Sequence, residues 1–392
     1  MHRSLIASQL EGALRTTLQA PGLQLIELDG ERTAHDDEAQ PWVSVKYGPA
    51  GHDDWFGVVP AVAHFRRAAG SAPESLPMMV KINVRESMAR TFMPWTFEQQ
   101  HIALDRPYWE YSQAAEFDNV GGRESHVYRV LAEQVPGLKA VLPKCYGSAR
   151  DAETGEEALF LELVRGMRLM DASGASFDWP ADNIDEVLRA LAGWQAVFWG
   201  ADEKRLAWAG PKPTTAGMTA DAPLWRAIVD HGRARLPNIV TEKVWRRRHR
   251  LIDTIADWHA IKDTLPATLA HNDFNHRNVG FRQGGGVLAL DWELATRNTA
   301  HRDLVELLTF VLPPSVDRAR VDRHVEVHRS ALAAAGVTSG IDRETWLAGF
   351  RCELGVEALN RVGLQLVFGA QFHLPYAERV NATIEHLLDL YQ

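Results

Sequence analysis

HNDFNHRNVGF, residues 271–281, crowds a histidine, an aspartate and several amides into a span too short for one regular helix face. Apolar chain flanks it, LPATLA before and VLALDW after. Polar groups set into core-forming chain are costly to bury unless they satisfy one another or bind something. VGFR and VLALDW enclose the glycines 284–286, a pattern that predicts a short hairpin over 279–292. A phosphate cradle is the weaker reading of those glycines. Such a hairpin would carry Asp291 back toward Asn278. A carboxylate, an amide oxygen and a second carboxylate would then meet. Glu293 follows Asp291 with Trp292 between them; if the strand continues, both acids point to one side. Hard oxygen ligands of this kind suit Mg²⁺, with phosphates and water completing the shell, and do not suit structural zinc.

The rest of the chain sets outer bounds. Its 392 residues suggest two or three compact units. Hydrophobic residues at 46% and charged residues at 24% are a globular balance, and the net charge of −9 advertises no nucleic-acid partner. Cys145 and Cys352 lie far apart, make no metal spacing and read as reduced thiols. The opening MHRSLIASQLEGALRTTLQ places Leu5, Ile6, Leu10 and Leu14 at helical spacing, so a short amphipathic helix is expected there, not a signal peptide. No stretch approaches the roughly 20 apolar residues that span a bilayer. The expectation is a cytoplasmic protein with no membrane partner. Nothing in the sequence sets an oligomeric state.

Strands are expected at 23–28, 42–47, 78–84, 145–149 and 158–164, all rich in β-branched or aromatic residues or bounded by turn formers. A helix is expected near AVAHFRRA, 61–68, and another over 121–134, where Val127, Val130 and Leu131 make an apolar stripe. Residues 85–120 show no clean period. From about 182 the helical period dominates, in 182–200, 222–236, 244–260, 321–336 and 343–367. The fold class is therefore α+β: a small mixed-sheet unit over 1–164, then a large mostly helical unit over 165–392.

HNDFNHRN followed by LALDWELA resembles the catalytic and metal-binding loops of the aminoglycoside phosphotransferase and choline kinase superfamily, which has the protein-kinase-like fold. His271, Asp273 and Asn278 meet the HxDxxxxN spacing; Asp291, and Asp303 with Leu304, match later motif positions. VKINV, with Lys81, GRESHVYRVL, with Glu124, and LFLELVRG, similar to the segment joining the lobes, extend the likeness over about 23–310. The layout beyond it also resembles the ecdysteroid-kinase-like branch.

The resemblance implies a two-lobed ATP- and Mg²⁺-dependent phosphotransferase that moves the γ-phosphate to a hydroxyl of a small molecule. Asp273 would orient that hydroxyl and guide its proton. Asn278 and Asp291 would hold Mg²⁺. Lys81, held by Glu124, would pair with the α- and β-phosphates. Backbone groups of Glu162, Leu163 and Val164 would meet adenine, and His271 would brace the loop. Phosphoryl transfer needs positioning and charge cancellation more than covalent help, which fits this division of labour. Asn275 stands where relatives carry histidine, lysine or tryptophan, so charge compensation would fall to His276 or Arg277. No G-x-G-x-x-G precedes Lys81; residues in 29–41 would cover the phosphates instead.

Blander readings stand beside these. Lys81 could protect a sheet edge, Glu124 could be a surface acid, and Asp303 could be a helix N-cap. Glu353, Glu357 and Asn360 share a helix face that either lines an acceptor pocket or meets solvent. The alternatives for the whole chain are an inactive nucleotide-binding regulator, or a metal-dependent phosphoester hydrolase built on Asp273, Asp291 and Glu293.

Overall fold

The computed structural model describes residues 1–30, 55, 57–83, 86–170, 179–371 and 374–391. The expected strand at 42–47 and nearly all of 29–41 lie outside the described residues. The chain divides into two compact units, Met1–Phe92 with Asn119–Met167, and Met93–Asp118 with Arg168–Gln392. The division differs from a simple cut at 164. Residues 93–118 belong to the second unit because Asp221 there accepts hydrogen bonds from the backbone N–H groups of Ser112 and Gln113, at 3.0 and 2.9 Å.

Among the described residues the first unit is built on a five-stranded sheet. Its strands are β1 (Gln24–Gly30), β2 (Gly57–Arg66), β3 (Glu74–Ile82), β4 (Cys145–Arg150) and β5 (Glu157–Glu162). They lie in the order β1-β2-β3-β5-β4, antiparallel at each pairing. The amphipathic helix Arg3–Thr17 buries Ile6, Leu10 and Leu14 in the same core as Val80, Ile82 and Phe160.

One expectation is corrected here. AVAHFRRA does not start a helix; it runs through β2. Val59, Ala61, Ala63 and Phe65 are buried while their neighbours are half-buried, the period of a strand. Long pairings with both β1 and β3 override the alanines' helical preference.

The same alternation settles the setting of Lys81. Met78, Val80 and Ile82 point into the core, so Lys81 points to the other face. β3 lies between β2 and β5, which removes the edge-protection reading. The helix expected over 121–134 is Val120–His126, continued by a π turn at Val127–Leu131 and a last turn at Ala132–Gln134.

The second unit is mostly helical. Its long helices include Ala181–Val197, Ala222–Arg235, Glu242–Asp253, Arg318–Ala334 and Ala377–Tyr391. The expected helix over 343–367 is broken at Asn360, giving Arg343–Leu359 and Arg361–Gln371. Among the described residues five short strands interrupt the helices: β6 (Arg168–Leu169), β7 (Thr268–Ala270), β8 (Val279–Phe281), β9 (Val287–Ala289) and β10 (Thr296–Asn298). β8 and β9 form the expected hairpin, and Gly285 and Gly286 turn it at φ 95°. The glycines thus belong to a turn.

Gly280 is required by close approach. A β-carbon there would lie 2.7 Å from the Arg168 carbonyl oxygen on β6. Backbone cannot step aside as a flexible side chain does. Gly280→Ala should therefore destabilise the second unit by about 1–3 kcal/mol. A urea unfolding midpoint equal to the parent's would refute this. Among the described residues no helix is long and apolar enough to cross a membrane.

Candidate active site

In the first unit, Lys81 Nζ donates to Glu124 at 2.8 Å. Glu124 is fully buried and Lys81 nearly so. A strand-borne ammonium and a helix-borne carboxylate are therefore locked together, which excludes the surface-acid reading of Glu124. Glu162 ends β5 opposite Met78, and its carboxylate accepts from the Lys144 N–H at 3.1 Å. Leu163 and Val164 follow it, half-buried, just before the chain passes to the second unit.

In the second unit, β7 is fully buried and pairs with β10, fixing where the 271–278 loop begins. Asn272 adopts a left-handed φ of 66°, a conformation asparagine tolerates better than most residues. Asp303 explains how the loop holds that shape. Its carboxylate accepts the N–H groups of His271 and Asn272, each at 2.9 Å, and Gln195 Nε2 at 3.2 Å. Asp303 is therefore a cap for the loop rather than for its own helix, His301–Val311. Burial raises its pKa, against the pull of His271 and the two N–H donors.

His271 bonds the Leu290 carbonyl through Nε2 at 2.7 Å, and its Nδ1 lies 3.3 Å from the Asp273 N–H. The ring also packs 4.5 Å from Trp292. Both bonds fit a neutral imidazole protonated at Nε2, a form burial favours by lowering its pKa.

The Asp273 carboxylate is gripped from two sides. Asn275 Nδ2 donates to Oδ1 at 2.9 Å and Asn278 Nδ2 to Oδ2 at 2.6 Å. Asn275 Nδ2 also reaches Glu306 at 3.3 Å. Burial acts most strongly on Asp273, raising its pKa. The charges of Arg361 and Arg277, with the Asn278 amide, act against it, and the group is held below its ordinary range. His276 supplies no charge: it is buried, stacked on Phe310, and its pKa is driven well down by desolvation. Charge compensation comes from Arg277 and from Arg361.

The hairpin brings Asp291 to the loop. Leu290 N–H donates to the Asn278 carbonyl at 2.8 Å, so Asp291 is the next residue along. Asp291 turns the chain with a left-handed φ of 63°. Its carboxylate and that of Glu293 come within 4.8 Å of each other. With its Nδ2 spent on Asp273, Asn278 directs its amide oxygen away from that carboxylate. These are hard oxygen donors, and they fit Mg²⁺.

Several residues of the site escaped sequence reasoning. Glu116 accepts from Asn272 Nδ2 at 2.6 Å and pairs with Arg361 at 3.0 Å. Arg361 also donates to the Asn272 carbonyl. Arg302 donates to Asn272 Oδ1 at 2.8 Å and to Glu306 at 2.8 Å, and pairs with Glu357. The Arg302–Glu306 spacing was a usable signal, being an i,i+4 ion pair beside Asp303. Glu116 and Arg361 had none, since their meeting depends on tertiary packing. Glu353 and Glu357 are not on a solvated face: both are buried, Glu353 against Lys262 at 2.6 Å.

The chain matches the phosphotransferase enzyme family over residues 106–334. No curated protein matches it. Among solved structures it is similar to macrolide 2'-phosphotransferase MphH from Brachybacterium faecium, at 16% identity over 94% of this chain and 97% of that one, with a TM-score of 0.41. It is also similar to choline kinase LicA from Streptococcus pneumoniae, at 10% identity over 97% and 99%, TM-score 0.43. A third likeness is to ethanolamine kinase Pv091845 from Plasmodium vivax, at 11% identity over 85% and 80%, TM-score 0.44. Matched over more than half its length, the chain belongs to the phosphotransferase enzyme family, within the aminoglycoside phosphotransferase and choline kinase superfamily of protein-kinase-like fold.

Proposed function

We propose that this protein transfers the γ-phosphate of ATP to a hydroxyl group of a small molecule, with Mg²⁺. The observation that carries this is the state of Asp273: an ionised carboxylate held by Asn275 and Asn278 on a loop braced by Asp303 and His271. Asp273 orients the acceptor hydroxyl and takes its proton as the bond to phosphorus forms. A carboxylate need not match the basicity of an alkoxide for this, because geometry is the stronger requirement. Asn278 and Asp291 hold Mg²⁺ through oxygen. Bound Mg²⁺ supplies cancellation of phosphate charge. Lys81, fixed by Glu124, pairs with the α- and β-phosphates, and backbone groups of Glu162, Leu163 and Val164 receive the adenine. His271 holds the loop through the Leu290 carbonyl and is not itself a proton carrier, since burial keeps it neutral.

The test is ADP release across chemically diverse hydroxyl compounds, with Mg²⁺ titrated. Asp291→Asn is expected to raise the Mg²⁺ concentration for half-maximal rate on the order of ten-fold or more, the scale seen when support for a bound metal is lost. Release that ignores Mg²⁺ would sink the reading. ATP binding without transfer to any alcohol would favour an inactive nucleotide-binding regulator. Phosphoester cleavage without ATP would favour a hydrolase.

A further inference from the structure

We propose that the Arg277 guanidinium is a further catalytic group, binding oxygens of the phosphoryl group as it passes from ATP to the acceptor. The inference rests on the phosphotransfer reading and adds to it a residue to which that reading gives no contact with substrate.

Arg277 lies between the two working residues of the loop. It comes four positions after Asp273 and immediately before Asn278. Its backbone N–H donates to Asn275 Oδ1 at 3.1 Å, in the turn that also brings the Asn278 N–H to the Asn275 carbonyl at 3.0 Å. The side chain is half-buried and its Nε is wholly enclosed. Yet among the described residues the guanidinium makes no hydrogen bond and no ion pair. Buried arginines elsewhere in the second unit are engaged. Arg302 pairs with Glu306 and Glu357, and Arg248 holds Glu385 and Asn381. An enclosed cation without a partner is costly, so it points to a ligand that supplies the missing charge.

The acids around it are already spoken for. Both oxygens of Asp273 take amide donors, from Asn275 and Asn278. Glu306 is held by Arg302 and Asn275. Their field still reaches Arg277. Burial pushes its pKa down most strongly, Tyr376, Asp273, Asp291 and Glu306 push it up, and it stands above its ordinary value. The guanidinium is thus a fixed positive charge facing the reacting carboxylate and Asp291. Tyr376 steadies it: Arg277 Cζ stands 5.7 Å over that ring, which packs 4.8 Å from His276.

The transferring group passes through this space if Asp273 receives the acceptor's proton. The acceptor oxygen bonds to phosphorus, the bond to the ADP oxygen breaks, and the hydroxyl proton goes to Asp273. Negative charge then spreads over the three remaining oxygens of the group. A guanidinium fork matches two such oxygens, and arginine keeps its own proton throughout. Being held in place beforehand, it stabilises that charge without reorganising.

Nucleotide binding tests this without an acceptor, because ADP with aluminium fluoride mimics the phosphoryl group in flight. The parent should bind that mixture on the order of 10²-fold or more tighter than ADP alone, as transition-state analogues do. Arg277→Met should lose most of that gain and keep the parent's affinity for ADP. Arg277→Lys, which keeps the charge and loses the fork, should fall between. Steady-state ADP release by Arg277→Met should show kcat lower by about 10²–10³-fold, the range for one lost donor to developing charge. Its urea midpoint should equal or exceed the parent's, because an unpaired buried charge is gone. A retained gain or an unchanged kcat in Arg277→Met would overturn the proposal. So would a parent that binds ADP and gains nothing from aluminium fluoride. A gain lost together with a lowered midpoint would mark a structural arginine and overturn it too. These outcomes leave phosphotransfer standing. A parent that binds neither ADP nor ATP would instead remove the phosphotransfer reading.

Discussion

Asp273→Asn is expected to lower kcat for transfer to a hydroxyl by ~10²–10⁴-fold, the range for a positioned general base, while nucleotide affinity stays near that of the parent. Two effects combine. The variant loses the negative charge that draws the hydroxyl proton. It also loses a hydrogen-bond acceptor, because both carboxylate oxygens now receive amide donors, from Asn275 and Asn278. An asparagine NH₂ must face one of those donors, so the new side chain rotates or pushes its neighbour away. Asp273 is ionised near neutral pH: burial opposes its charge, but the guanidinium charges of Arg361 and Arg277 with the Asn278 amide hold its pKa below the ordinary range. The loss should therefore persist across neutral pH and not be rescued by raising it. Steady-state ADP release, with nucleotide binding measured separately, decides the matter. An unchanged kcat would remove Asp273 from the chemistry.

Acid should weaken the second unit by forcing charge onto its buried histidines. Burial drives His259 and His301 down to about 4 and His328 to about 3. Each is neutral in the folded chain, whereas in the unfolded chain each titrates near 6.5. Between those values the unfolded state binds more protons. Stability is then fully present above about pH 6.5 and is lost as pH falls toward 4. One such histidine contributes up to ~1.4 kcal/mol per pH unit, so three set an upper limit near ~4 kcal/mol per unit around pH 5. Relaxation and water entry reduce this.

The site shares the effect. His328 Nε2 bonds Gln195 Oε1 at 2.9 Å, and Gln195 bonds Asp303, the cap of the 271–278 loop. Urea unfolding at pH 7.5, 6 and 5 should show a falling midpoint, and His328→Gln should flatten the slope. A midpoint that is level from pH 7.5 to 5 would contradict the buried neutral histidines.

How much could be read beforehand varied with the range of the forces involved. The hairpin at 279–292 was legible because glycines and alternating apolar residues act locally. The helix Arg3–Thr17 was legible from its own spacing. AVAHFRRA was misread because its alanines favour a helix in isolation, while β1 and β3 impose a strand by pairing on both sides. The break at Asn360 was also missed, as helical periodicity runs through it. Asp303 looked like an ordinary helix start; only the returning loop shows which N–H groups its carboxylate serves.

The pairing of Lys81 with Glu124 was implied by the family resemblance; from sequence alone came the identity and spacing of His271, Asp273, Asn278 and Asp291. Those follow from short-range pattern: a loop of fixed length and a tight hairpin leave few places for their side chains. The tertiary structure alone decided the electrostatics around them. Glu116, Arg302, Glu306, Glu357 and Arg361 come from distant parts of the chain and are joined only after the helices pack. Coulomb energy depends on separation in space and on the loss of water around each charge, and neither quantity is written in the order of residues.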